Sequence, residues 1–177
     1  CIAPYRNAKG FYGVQLRDEP DYKMLASYGK VCKALRKVMP NIYLQCNLFP
    51  IAGLDFLAAA ARDSFDAYEQ YLRSFADESG EKSICFDEYP YLREYIFGVN
   101  SLRTYQIAAK VCKEKDLELR AVMQSFSYFH KDHLIHRRVT ERDMYQQMNM
   151  ALGFGCKEFA FFTYFTKKCV AQLGGEK

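Results

Sequence analysis

Asp18-Glu19-Pro20 is the sharpest local concentration of chemistry in the sequence. A carboxylic acid at the end of a strand protonates a leaving oxygen when its surroundings raise its pKa. Pro20 turns the chain just after such a strand and fixes Glu19 at its end. The same residues also suit the start of a helix, where acids complement the dipole and Asp21 is a candidate N-cap. On spacing alone the helix start is the commoner reading. Asp87-Glu88-Tyr89-Pro90 is a second acidic cluster of the same kind. In an extended run alternate residues share a face, so Asp87 and Tyr89 point together and Glu88 points away. Asp87 then fits three roles equally well: a second carboxylate, an acceptor for a ligand hydroxyl, or a turn former.

Asn47 and Gln124 offer a donor and an acceptor each, and Tyr164 adds a ring to a hydroxyl. All three suit a hydroxyl-rich ligand, and all three equally suit a buried network that holds loops. His130, His133 and His136 recur every third residue beside Lys131, Arg137 and Arg138. Ligands spaced by three on a loop need not converge, so a solvated basic loop is preferred to a metal site. No metal and no cofactor is expected.

These residues sit at the ends of short apolar runs that alternate with amphipathic stretches. Strands are expected near residues 10–17, 42–48, 83–86, 119–125 and 158–164. Helices are expected near 21–39, 64–76, 100–115 and from Thr140, where Asp143 three residues on makes a capping box. The first helix would bury Met24, Tyr28, Val31, Leu35 and Val38. The second would bury Phe65, Tyr68, Leu72 and Phe75, and the third Leu102, Tyr105, Ala109 and Cys112. Met144, Met148 and Leu152 would face inward from the last. The stretch before Thr140 reads as a polar loop. Regular alternation implies a parallel sheet with right-handed crossovers. No GxGxxG or GxxxxGK[ST] turn is present, which removes the nucleotide-binding versions of the open doubly wound sheet. In a barrel the catalytic groups sit at the C-terminal strand ends. Here those ends carry Asp18-Glu19, Asn47, Asp87-Tyr89, Gln124-Ser125 and Tyr164.

The bulk properties exclude several classes. The net charge of +4 over 177 residues, without a long basic run, gives no case for nucleic acid. No apolar stretch is long enough for a membrane span. The seven cysteines are scattered without a CxxC, as buried thiols rather than a disulfide framework. Phe and Tyr make the chain 16% aromatic with no Trp. Most of these rings are expected in the core.

Taken together, GFYGVQLRDEP, YLQCNLFP, ICFDEYPY, LRAVMQSFSY and a final EFAFFTYFT resemble, in that order, barrel glycoside hydrolases related to the family 42 β-galactosidases. Uncharacterised bacterial glycoside-hydrolase-like proteins share the pattern, and the resemblance covers nearly the whole chain. It implies an α/β fold, a partial TIM (β/α)8 barrel comprising strands four to eight, as a single domain over 1–177. The N-terminal half of the barrel would then belong to a longer protein. It implies hydrolysis of O-glycosidic bonds in an oligo- or polysaccharide. Glu19 would be the general acid/base, Asp87 its catalytic partner, and Asp18, Asn47, Tyr89, Gln124 and Tyr164 the substrate contacts. Related enzymes are often exported, so a periplasmic or extracellular location is the expectation. One departure stands out: where retaining members carry a nucleophilic Glu, this sequence has Gln124. Three accounts remain open. Asp87 supplies the second carboxylate in an inverting arrangement, or a substrate acetamido group assists the Asp18-Glu19 pair, or the protein binds glycans without cleaving them. An unrelated α/β enzyme whose acidic turn is merely a helix cap would instead place Glu19 in a surface ion pair.

Overall fold

The computed structural model describes residues 4–5, 7–53, 65–93, 98–130 and 133–163. In chain order the elements are β1 (Gly13–Asp18), α1 (Leu25–Val38), β2 (Tyr43–Leu48), α2 (Phe65–Ser79), β3 (Ser83–Glu88), α3 (Val99–Lys115) and β4 (Glu118–Gln124). They continue with β5 (Tyr128–His130), β6 (His133–His136), α4 (Glu141–Gly153) and β7 (Cys156–Phe162). Five strands form one sheet in the order β1-β2-β3-β4-β7, every neighbouring pair parallel. The order never reverses, unlike that of a doubly wound sheet. Every strand therefore ends at one rim, and right-handed crossovers carry the helices to one face.

The helices start where local chemistry allows. Asp21 accepts a hydrogen bond from the Met24 amide at 3.0 Å and opens the 3-10 turn Tyr22–Met24 that leads into α1. Thr140 and Asp143 form the reciprocal capping box of α4. Leu44, Cys46 and Leu48 of β2, Ile84 and Phe86 of β3, and Leu119, Ala121 and Met123 of β4 face the helices in a single core. Phe86 meets Tyr105 of α3 edge-on, with ring centroids 4.9 Å apart. The alternate residues Asn47, Cys85, Asp87, Val122 and Gln124 take the other face. The described cysteines are free and buried. No helix among the described residues is long and apolar enough to cross a membrane.

Helix faces depart from the expected stripes. On α1, Val31 and Val38 are exposed, while Leu25, Tyr28, Gly29 and Cys32 are buried. Gly29 sets this choice: a Cβ there would lie 2.2 Å from the Glu78 carbonyl oxygen of α2. The two helices cross at that bare backbone, which rotates the apolar side chains that flank it. Phe65, Leu102 and Leu152 are likewise exposed. In α4 the buried positions are Asp143, Gln147 and Ala151, because this helix packs through polar ties to the strand ends. The expected polar loop contains the β5–β6 hairpin. Backbone bonds from Arg93 to Ile135 and from Arg137 to Tyr91 hold the hairpin, and apolar periodicity does not record them.

Glu88 lies on the helix side of β3. It is 7% exposed, and Ser101 of α3 donates to it at 2.9 Å. Burial pushes its pKa up to about 7, against the Ser101 and Thr104 hydroxyls that favour the charged form. A carboxyl whose folded pKa is raised favours the fold fully below its unfolded value. That contribution disappears as pH rises through the folded value. The Glu88→Gln variant should therefore match the parent near pH 4.5. It should be more stable by about 2 to 3 kcal/mol near pH 8, where the buried charge is otherwise imposed. Denaturant melts at the two pH values check this, and an equal or lower midpoint for the variant at pH 8 would sink it.

Candidate active site

The acidic turn after β1 is held by two neighbours. The Glu19 amide donates to the Asn47 carbonyl oxygen at 2.7 Å, which extends the β1–β2 ladder past the strand end. The Tyr71 hydroxyl of α2 donates to the Pro20 carbonyl oxygen at 2.8 Å. Between these anchors Glu19 takes φ of 44°, a left-handed conformation unfavourable for a residue with a Cβ. Strain of this kind persists where the surroundings over-determine it, commonly at functional sites. A register shift between Gln15 and Arg17 re-aims the end of β1, so that Asp18 pairs with Asn47.

Glu19, Asp18, Asn47, Asp87 and Tyr89 are brought together. The Asn47 Nδ2 donates to Asp18 Oδ1 at 3.2 Å. Asn47 and Tyr89 also flank Asp87. Asp87 is 6% exposed, whereas Glu19 is half-buried and Asp18 is open to solvent. Burial raises Glu19 to about 7, assisted by the charges of Asp87 and Asp18. Burial also raises Asp87, to about 6, with Asp18 adding repulsion, while Tyr89 and Asn47 favour its ionised form. Glu19 forms no ion pair among the described residues, which sets it apart from a surface helix cap. The cap of the following turn is Asp21. Asn47 Oδ1 and Asp87 Oδ1 are both buried without a hydrogen-bond partner.

An aromatic wall adjoins the carboxyls. Tyr89 contacts Phe126 at 5.0 Å between centroids, Phe162 at 6.1 Å and His136 at 6.2 Å. Phe162 is 50% exposed, so the wall presents a ring to solvent. Phe126, His136 and Phe162 were not singled out as ligand-binding rings by sequence reasoning. The available signal was the paired Phe161-Phe162 at a strand end, where alternation sends one ring to each face.

Gln124 is placed differently from the other site candidates. It is fully buried, and its Oε1 accepts from the Tyr91 amide at 3.0 Å. Its Nε2 donates to the carbonyl oxygens of Tyr91, Phe126 and Arg137 at 3.1 to 3.3 Å. Gln147 of α4 in turn bonds both the amide and the carbonyl of Gln124, at 2.9 and 3.0 Å. Arg137 lies over the Tyr91 ring at 4.6 Å and pairs with Asp143. The Arg137 guanidinium holds the Asp143 carboxyl well below the usual carboxylate range. The Gln124 amide thus fixes the loops that carry the aromatic wall, the alternative its residue type had left open. Tyr164 lies outside the described residues, as do the His130 and His133 side chains. A cavity of about 580 Å³ opens at the opposite end of the sheet, between Lys82, Asp116, Glu118 and Lys157, and has no part in the carboxyl cluster.

No family model matches the sequence, and no curated protein matches it. Among solved structures, the chain is similar to a candidate alpha-L-fucosidase from Bacteroides thetaiotaomicron. The TM-score is 0.67 at 9% identity, over 98% of this chain and 54% of that one. The chain thus spans about half the length of the structure it matches. At this identity the likeness is one of fold alone, an α/β arrangement with a parallel sheet, and nothing in it singles out the family 42 β-galactosidases.

Proposed function

We propose that this chain is the acid-bearing part of a glycoside hydrolase barrel, with Glu19 as the general acid/base. The observation that carries the reading is the half-buried Glu19, held in a strained turn at the strand-end rim and kept protonated near neutral pH by burial and by Asp87. In this reading Glu19 gives its proton to the glycosidic oxygen as the C–O bond breaks. Water adds to the anomeric carbon, and its proton returns to the Glu19–Asp87 pair. In this reading Asp87 helps set the Glu19 pKa through the charge it places beside it. Tyr89, Phe126 and Phe162 offer the apolar faces on which a sugar ring stacks. In the same reading β1 and β7, the outer strands of the sheet, pair with strands of the remaining barrel.

A second reading, glycan binding without cleavage, is favoured by one observation: the end of β4 carries the committed amide of Gln124 in place of a carboxylate. Turnover separates the two. In the intact protein, Glu19→Gln should lower kcat by roughly 10²- to 10⁴-fold while leaving glycan affinity nearly unchanged. Unchanged turnover would remove Glu19 from the mechanism, and a parent without turnover but with the same affinity would favour the binding protein. Asp87→Asn should lower the Glu19 pKa by removing the adjacent charge. The high-pH limb of the kcat/KM profile should then move to lower pH, and a limb that stays in place would uncouple the two residues.

A further inference from the structure

The aromatic wall includes one imidazole, and its position is fixed from several sides. His136 of β6 meets Phe126 at 5.3 Å between ring centroids, Tyr89 at 6.2 Å and Tyr128 at 6.5 Å. Backbone bonds from Arg93 to Ile135 and from Arg137 to Tyr91 hold the residues on either side of it, and a bridge pairs His136 itself with Leu92. Tyr89 stands between this ring and the acids, since it also flanks Asp87. One aromatic ring therefore separates the imidazole from the carboxyl cluster, a span that a single sugar ring on the wall bridges.

The two ring nitrogens of His136 are not equivalent. Nδ1 is enclosed without a hydrogen-bond partner, although the residue as a whole is only partly buried. Nε2 is not enclosed in this way, and no group among the described residues bonds it. A proton on an enclosed nitrogen with no acceptor is costly, and the imidazolium needs a proton on both nitrogens. Burial accordingly lowers the His136 pKa from the ordinary histidine value. The ring is left neutral near pH 7, with its proton on Nε2, the nitrogen open to a ligand. The polar side chains around it are already spent. Gln124 is committed to loop backbone, the Ser125 hydroxyl donates to the Thr163 carbonyl oxygen at 3.3 Å, and Arg137 is paired with Asp143.

We propose that His136 is a substrate-binding residue, its imidazole donating through Nε2 to a hydroxyl of the sugar on the Tyr89–Phe162 wall, at the end of that sugar away from Glu19. The inference rests on the glycan reading of the same site and narrows it to a substrate class, a neutral sugar with a free hydroxyl at that end. An uncharged donor forms no ion pair with a carboxylate or sulfate, and the charge of Arg137 is already answered by Asp143.

The test is isothermal titration of the intact protein with the methyl glycosides of glucose, galactose and mannose, followed by the monodeoxy analogues of the one that binds best. His136→Phe keeps a flat ring among Phe126, Tyr89 and Tyr128 but has no donor. It should weaken binding of the full glycoside by about three- to tenfold, the loss of one neutral hydrogen bond. One monodeoxy analogue should lose a similar factor against the parent protein and nothing further against His136→Phe. His136→Gln, which keeps an N–H near the Nε2 position, should bind as the parent does. Parent affinities that are the same for every monodeoxy analogue, or a Phe variant that still discriminates among them as the parent does, would overturn the inference. Either result would make His136 a packing ring and leave the glycan reading standing. Binding of none of the glycosides would overturn both.

Discussion

The rest of the site depends on a buried carboxylate with no cation to answer it. Asp87 projects from β3 onto the face of the sheet away from the helices, is almost fully enclosed, and has the polar groups of Tyr89 and Asn47 beside it instead of a cation. Polar neighbours of this kind favour an ionised acid without cancelling its field. That field falls on Glu19, whose proton becomes harder to lose. A lysine or arginine beside Asp87 would answer that charge and remove its share of the Glu19 shift, leaving the larger share that burial supplies. The absence of such a partner among the described residues is therefore the chemical content of the site.

The scaffold is arranged around that pair. A sheet whose strands follow chain order places every strand end on one rim. Glu19 and Asp87 come from strands two apart, and β2 stands between them with Asn47. The DEP turn bends sharply because Tyr71 and the Asn47 carbonyl hold both sides of it. The wall beside the pair is held by a different device. Gln124 spends its whole amide on the backbone of the surrounding loops, and Gln147 clamps Gln124 in turn. An amide serves this purpose because it donates and accepts at once without a charge whose burial would need compensation.

Much of this was legible in the sequence, for reasons that can be named. Apolar runs closed by Asp, Asn or Gln located β1 to β4, since strand ends in a parallel sheet change from buried to rim within one residue, and the aromatic-rich run after Glu158 located β7. Alternation correctly separated Asp87 from Glu88, and Glu88 turns to Ser101 as that rule requires. The helix faces were less legible. The backbone crossing at Gly29 and the polar ties of Asp143 and Gln147 decide those faces, and a hydrophobic stripe records neither. The role of Gln124 was undecidable from its type, because a ligand contact and a backbone clamp need the same atoms. The β5–β6 hairpin escaped notice because backbone hydrogen bonds hold it, and any polar sequence can supply them.

The left-handed Glu19 joins these levels. A residue with a Cβ takes φ of 44° at a cost that glycine would avoid. Glycine, however, would have no carboxyl to present. The turn needs the side chain and the conformation at the same position, so the cost is met by the anchors on either side. The same logic explains why Pro20 follows: a fixed φ at the next residue removes one freedom through which the strained turn would relax. Local strain, a cation-free acid and a clamped aromatic wall thus converge on one rim. Each is unfavourable or neutral for folding, and together they place a proton beside a surface on which a ring can stack.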